Sequence, residues 1–147
     1  MNKNILIAVA VVVVGFLLVG NPSQPRKAIA DDKPDSKFTP VDNMHHFMEY
    51  ISEPVYQSLE ASLKEQPKDK RAWGEVKSGA LILAETAGLV AQRGDNSKDA
   101  DWQSSSLAVH QEGKKLYQAA RAKDYESAKM HFKSMTAGCA SCHEKYR

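Results

Sequence analysis

The stretch DYESAKMHFKSMTAGCASCHEKYR, from Asp124 to Arg147, shows most clearly how this chain folds. Asp124 is a preferred helix N-cap residue, and apolar side chains follow it at three- and four-residue steps. This spacing places on one face Tyr125, Ala128, Phe132, Met135, Cys139 and Cys142. The pattern therefore predicts an amphipathic C-terminal helix that packs one stripe against other helices.

Two earlier segments show the same periodicity. The first is predicted to start with Thr39 as cap and Pro40 as its first residue, and its stripe comprises Val41, Met44, Met48, Ile51, Val55, Leu59 and Leu63. Pro54 lies within it and predicts a kink between Tyr50 and Glu53, or a second start capped by Ser52. The next helix is capped by Asp69, stops before Gly94 and buries Trp73, Val76, Ala80, Leu83, Ala87 and Val90.

A less regular helix is predicted from about Asp101, with a stripe of Trp102, Leu107, Val109, Leu116, Tyr117 and Ala120. No segment alternates apolar and polar residues as a strand does. Four helices with short connections predict an all-α fold, an antiparallel four-helix bundle.

The N-terminus has the pattern of an export signal. Lys3 precedes an apolar run from Ile5 to Val19, and Ala28-Ile29-Ala30 is a typical cleavage site. We therefore expect residues 1–30 to be a signal peptide, residues 31–40 a linker and residues 41–147 the folded domain. An uncleaved anchor is the alternative, although the apolar run is short for a full span of about 20 residues.

Removal of this segment would change the charge balance. The chain has 20 Lys and Arg against 18 Asp and Glu, and three of the basic residues lie within residues 1–30, at Lys3, Arg26 and Lys27. The remaining chain would carry one more acid than base, a formal charge of −1. The composition therefore gives no support to a nucleic-acid partner.

The C-terminal helix contains Cys139-Ala140-Ser141-Cys142-His143, a CxxCH motif that uses both cysteines of the chain. This motif is typical of covalent attachment of one c-type haem, with Cys139 and Cys142 as thioethers and His143 as an axial iron ligand. Two cysteines three residues apart on a helix share a face, so both sulfurs reach one edge of a porphyrin. A redox dithiol, half of a zinc site and a tight disulfide remain as alternatives.

The four-helix pattern and the ending CASCHEKYR resemble the cytochrome c-prime family. In that family the CxxCH motif lies near the end of the last helix and is followed by an aromatic residue and an arginine, here Tyr146 and Arg147. The resemblance implies a periplasmic haem protein with His143 as the proximal ligand.

The segment VDNMHHFM, residues 41–48, resembles the low-spin branch of this family, in which a methionine of the first helix binds the iron. The resemblance places Met48 at that position; Met44 stands where the high-spin branch often has an arginine. Antiparallel packing of the first and last helices independently brings Met44, His45, His46 and Met48 within reach of His143. A core methionine is the structural alternative for Met48.

We therefore expect a monohaem single-electron carrier, not an enzyme, whose partners are other periplasmic redox proteins. The alternative is a five-coordinate, high-spin protein that binds nitric oxide or carbon monoxide. A peroxidase would need His45 as a distal acid–base group. Association into a homodimer is left open, and His110 and His131 are expected to be surface or hydrogen-bonded side chains.

Overall fold

The computed structural model describes residues 39–146, which form four helices and contain no strand. Helix α1 consists of three consecutive segments, Met44–Phe47, Met48–Ser52 and Glu53–Ser62; the others are α2 (Lys70–Ala91), α3 (Ala100–Ala122) and α4 (Tyr125–Tyr146). The predicted signal peptide, most of the predicted linker and Arg147 lie outside the described residues. None of the helices within residues 39–146 combines the length and hydropathy of a membrane span.

Helix α1 begins later than the sequence predicts. Its first residue is Met44 and its cap is Asn43, whose side-chain oxygen accepts a hydrogen bond from the His46 amide at 2.9 Å. The predicted start at Thr39 and Pro40 is wrong, and Val41 is fully exposed rather than part of the buried stripe. Asparagine is a stronger N-cap than threonine, which explains the shift.

A π-helical segment, Met48–Ser52, interrupts α1 directly before Pro54. Proline has no amide hydrogen to donate to the preceding turn, and a wider π-turn is one way in which a helix accommodates this loss. The irregularity thus lies where the sequence predicts a kink. A new α-helical segment does begin after Ser52, at Glu53, but Ser52 makes no capping hydrogen bond and its backbone is already helical, so α1 continues through it.

The other helix boundaries follow the capping residues. Asp69 accepts a hydrogen bond from the Ala72 amide at 2.8 Å, and Asp124 accepts one from Ser127 at 3.0 Å. Helix α3 starts at Ala100, one residue before the predicted position, because Asp99 caps it. These short acidic caps satisfy amide groups that the first turn leaves without partners.

The predicted core is largely confirmed. All six stripe residues of α2 are buried, and the main cluster consists of Leu59, Leu63, Trp73, Val76, Ala80, Leu83, Leu116, Ala119, Ala120, Ala128 and Met135. Ile51 and Leu107 are exceptions, with 42% and 52% of their surface exposed. Each lies in a helix whose apolar spacing is irregular, and the prediction that its side chain faces the core is wrong.

Close backbone packing links α1 to α2, α2 to α3 and α3 to α4. Because the connections are short, consecutive helices run antiparallel, as expected for a four-helix bundle. Helices α1 and α4 meet through long side chains: the rings of Tyr56 and Phe132 stack at 5.7 Å, and Tyr125 donates a hydrogen bond to the Leu63 carbonyl at 3.0 Å. Close backbone packing of the helix with the CxxCH motif is therefore with α3, and its contacts with α1 run through these side chains.

Candidate cofactor site

The two cysteines lie on the half-buried face of α4, and both are free thiols. Burial raises the pKa of the Cys139 thiol, with a smaller contribution from neighbouring Cys142. Burial alone raises the pKa of Cys142. Both side chains are therefore protonated thiols at neutral pH, the form whose S–H adds across a vinyl group.

This environment does not favour two of the alternatives. Redox dithiols depend on a lowered thiol pKa, whereas the pKa is raised here. Within residues 39–146, no group of three or more His, Cys, Asp or Glu side chains is arranged to hold a metal ion. A zinc site would need such a group, so the geometry gives it no support.

His143 follows Cys142 in the last turn of α4, and its side chain is exposed. The structure therefore keeps the three residues of the motif together on one helical segment, as predicted, with two half-buried and one accessible.

The start of α1 reaches the same end of the bundle as the motif. A buried cluster of Phe47, Val90 and Trp102 forms here, and four half-buried side chains pack against it: Met44, Met48, Cys142 and Tyr146. The structure thus brings both candidate methionines and the second cysteine of the motif against one apolar surface, as antiparallel packing of the first and last helices predicts.

The two histidines of α1 make their contacts away from this apolar cluster. The His45 side chain is 82% exposed and lies 3.6 Å from the Glu49 carboxylate. His46 is bonded to Asp42 at 3.0 Å and its ring stacks on Tyr50 at 5.2 Å. Neither packs on the apolar cluster, so the geometry favours Met44 and Met48 over His45 and His46 as distal residues.

Arg93 was missed by the sequence analysis. Only 8% of its surface is exposed, and its guanidinium donates a hydrogen bond to the Asp42 carbonyl at 2.9 Å and lies 4.3 Å above the centre of the Phe47 ring. It follows the last turn of α2, where periodicity carries no information about burial. Its charge also contributes to the lowered pKa of Asp42, after the larger effects of the Asn43 amide and His46.

Trp102 and Tyr146 also pack at this end of the bundle. The Trp102 indole donates a buried hydrogen bond to the Val90 carbonyl at 2.8 Å, and the Tyr146 ring meets it edge-on at 5.1 Å. A cavity of about 390 Å³ is lined by Met44, Arg93, Trp102 and Tyr146, and also by the acidic residues Asp42 and Asp95. Trp102 and Trp73 are both buried, which confirms their prediction as core residues.

The remaining histidines are satisfied within the bundle. His110 is bonded to the Ala84 carbonyl at 2.8 Å, and His131 to the Glu112 carboxylate at 2.9 Å. These contacts agree with their prediction as hydrogen-bonded side chains and leave His143 as the histidine associated with the thiols.

The residues present fit a covalently bound haem. Two protonated thiols share a face, an accessible imidazole adjoins them, and aromatic and thioether side chains form an apolar surface beside them. The Tyr146 hydroxyl is buried beside the Asp99 carboxylate and helps to lower the pKa of that carboxyl, after the larger effect of the Asp101 amide.

Comparison with known proteins agrees with this arrangement. The family model described as Cytochrome C' matches residues 95–147, which include α3, α4 and the complete CxxCH motif. Searches of curated proteins and of solved structures each found no match. The match agrees with the predicted resemblance and supports a c-type cytochrome that carries electrons or binds a gas, with covalently attached haem; proteins of this family are typically periplasmic electron carriers or gas binders. Over residues 95–147, the chain is similar to the cytochrome c-prime family.

Proposed function

We propose that this chain is a monohaem c-type cytochrome that transfers single electrons in the periplasm, with its haem iron held by His143 and Met48. The low-spin methionine ligation, the single haem and the compartment go beyond the family match. The runner-up is a five-coordinate protein that binds nitric oxide or carbon monoxide.

One observation carries the proposal: Met48 of α1 and Cys142 of α4 pack against the same buried cluster. Residues 94 positions apart in the sequence are thereby brought to one end of the bundle. Met48 is also the first residue of the π-helical segment. Such segments frequently occur at functional sites, because they rotate the following side chains relative to a regular α-helix.

The residues have separate roles in this proposal. Cys139 and Cys142 tether the cofactor, His143 supplies the imidazole ligand, and Met48 supplies a thioether. When bound, the haem would supply the one-electron redox chemistry, and a methionine ligand in addition to a histidine would raise its reduction potential. Phe47 and Trp102 exclude water from this region, which further tunes the potential.

The proposed compartment rests on the export signal in residues 1–30 and on the family. Thioether attachment of haem in bacteria takes place outside the cytoplasm, so an exported chain is consistent with the motif. The proposed partners are larger periplasmic redox proteins. A homodimer is compatible with this role but is not required by it.

Two measurements test the proposal. The exported protein, produced in a host that assembles c-type cytochromes, should gain the mass of one haem, and the Cys139→Ser/Cys142→Ser variant should not. Absence of the added mass in the parent protein would exclude the function altogether.

Optical spectra then separate the two candidates. A low-spin ferric spectrum with a methionine–iron charge-transfer band supports the electron carrier. A high-spin ferric spectrum, together with rapid carbon monoxide binding by the ferrous protein, supports the gas-binding alternative.

A further inference from the structure

Helix α1 differs from the other three described helices in its charge. It contains Glu49, Glu53 and Glu60 and no Lys or Arg, which gives a formal charge of −3. Helices α2, α3 and α4 each contain three Lys or Arg residues against two Asp or Glu residues, which gives a formal charge of +1 for each. Of the four helices that the structure describes, α1 alone is therefore acidic.

The two carboxylates nearest the start of α1 are not neutralised by basic side chains. Glu49 lies 3.6 Å from the exposed ring of His45, which is a cation only when protonated, and Glu53 accepts a hydrogen bond from an uncharged side-chain amide at 3.0 Å. Within the described part of the chain, no Lys or Arg forms an ion pair with either. Arg93 reaches this end of α1, but it is buried and donates to the Asp42 carbonyl.

Two exposed apolar side chains lie between these carboxylates in the sequence. Tyr50 has 64% and Ile51 has 42% of its surface exposed, and both belong to the π-helical segment Met48–Ser52, in which no residue is buried. The sequence predicts Ile51 on the buried stripe, whereas the structure places it at the surface. An exposed aromatic and aliphatic pair with charged neighbours is typical of a protein interaction surface.

The same short segment also contacts the candidate cofactor surface. Met48, its first residue, packs against the buried cluster that Cys142 also contacts. Tyr50 and Ile51 follow Met48 within one helical turn. Because electron transfer slows steeply with distance, a redox partner seated on this exposed face would lie close to the haem of the proposed function.

We propose that the outer side of this segment, formed by Glu49, Tyr50, Ile51 and Glu53 and named the α1 face, binds a redox partner whose contact surface is basic with apolar groups at its centre. The inference rests on the proposed function, because it requires an electron-carrying haem. One electron passes between the haem iron and the redox centre of the partner, so that one is oxidised as the other is reduced. A second copy of the chain fits the α1 face less well, since two acidic helices repel each other.

The test measures how fast two small oxidants of opposite charge take an electron from the ferrous holoprotein. Tris(phenanthroline)cobalt(III) is a trication with an apolar surface and represents the partner, whereas ferricyanide is a polar trianion. Stopped-flow spectrophotometry gives a second-order rate constant for each oxidant. At an ionic strength of about 0.1 M, screening over about 10 Å limits the effect to charges near the site of electron transfer.

Glu49→Gln/Glu53→Gln should slow oxidation by the cobalt complex about two- to tenfold and accelerate oxidation by ferricyanide, because it removes two negative charges from the α1 face. Glu75→Gln/Glu126→Gln is the matched control. It removes the same charge from exposed positions near the starts of α2 and α4, at the opposite end of the bundle, and should change neither rate.

Tyr50→Ser/Ile51→Ser should slow oxidation by the cobalt complex but not by ferricyanide, because it removes apolar surface and leaves the charge unchanged. Circular dichroism checks that each variant keeps its helical content. A redox titration of each variant corrects its rates for any change in driving force.

Two outcomes would overturn the inference. Parent-like rates of Glu49→Gln/Glu53→Gln with both oxidants would show that the electron leaves through another surface. A dimer of the parent protein in sedimentation analysis, dissociated by Tyr50→Ser/Ile51→Ser, would show that a second copy covers the α1 face. Absence of covalent haem or a high-spin ferric spectrum in the parent protein is separate, since either result overturns the proposed function itself.

Discussion

Gly138 of α4 lies so close to Val109 of α3 that a Cβ atom on Gly138 would be only 2.9 Å from Val109 Cγ2. The two helices approach each other closely at this point, one residue before Cys139. The glycine thus sets how near the first cysteine of the motif lies to α3. A β-branched neighbour cannot easily rotate away, so the contact is stiff.

We expect Gly138→Ala to lower the free energy of unfolding by about 0–2 kcal/mol, because an overpacking cost of about 1–3 kcal/mol exceeds a helix-propensity gain of about 1 kcal/mol. In a Val109→Ala background the same substitution should become stabilising. Gly74→Ala is the control, since a Cβ there meets nothing within 4 Å, and it should stabilise the protein. Urea unfolding measures all four variants, and an equal effect of Gly138→Ala in both backgrounds would refute the close contact.

Trp102→Phe should be more destabilising than the loss of ring volume explains. The indole N–H donates to the Val90 carbonyl at 2.8 Å in a buried setting, and phenylalanine removes this bond while the carbonyl keeps a hydrogen bond from the Arg93 amide at 3.1 Å. The lost hydrogen bond should cost about 0.5–1.5 kcal/mol beyond the effect of Trp73→Phe, which removes a similarly buried indole from the main core. Equal losses in thermal or urea unfolding would argue that the hydrogen bond contributes nothing.

Glu112 should make the free energy of unfolding depend on pH in the acid range. Hydrogen bonds from Lys115, at 2.6 Å, and then from His131, at 2.9 Å, lower the pKa of this carboxyl from 4.5. Since the pKa is lower in the folded state, the stabilisation is present above about pH 4.5 and is lost as the pH falls through the folded-state pKa.

We therefore expect Glu112→Gln to flatten the fall in the free energy of unfolding below pH 4.5. Glu75→Gln is the matched control, because Glu75 pairs with an exposed Arg71 on the helix surface. Denaturant unfolding at several pH values compares the variants. A Glu112→Gln curve parallel to that of the parent protein would show that this carboxylate does not carry the dependence.

Met48→Ala should abolish the methionine–iron charge-transfer band of the ferric holoprotein and allow carbon monoxide to bind the ferrous form. Met44→Ala should retain the band, although Met44 packs against the same cluster and is comparably buried. Loss of the band in Met44→Ala alone would transfer the ligand role to Met44. Retention in both variants would exclude both thioethers.

Local sequence signals predicted well wherever the stabilising contact is close in the chain. Asp69 and Asp124 cap their helices as expected, because each accepts a hydrogen bond from an amide three residues later. The start of α1 was predicted wrongly because several capping residues compete there, and only the fold shows that Asn43 is used. Leu107 was assigned to the core because its spacing resembles a stripe, although its face turns to solvent.

The CxxCH motif and the resemblance to a family could be recognised from the sequence alone, because the chemistry of Cys139, Cys142 and His143 depends only on neighbours within one helical turn. The side chains that pack around the motif could not be predicted from the sequence. Tertiary packing alone brings Met48 to the surface shared with Cys142 and buries Arg93 beside Phe47. These relationships depend on how helices from distant parts of the chain meet, and helical periodicity records which face is apolar but not what that face will contact.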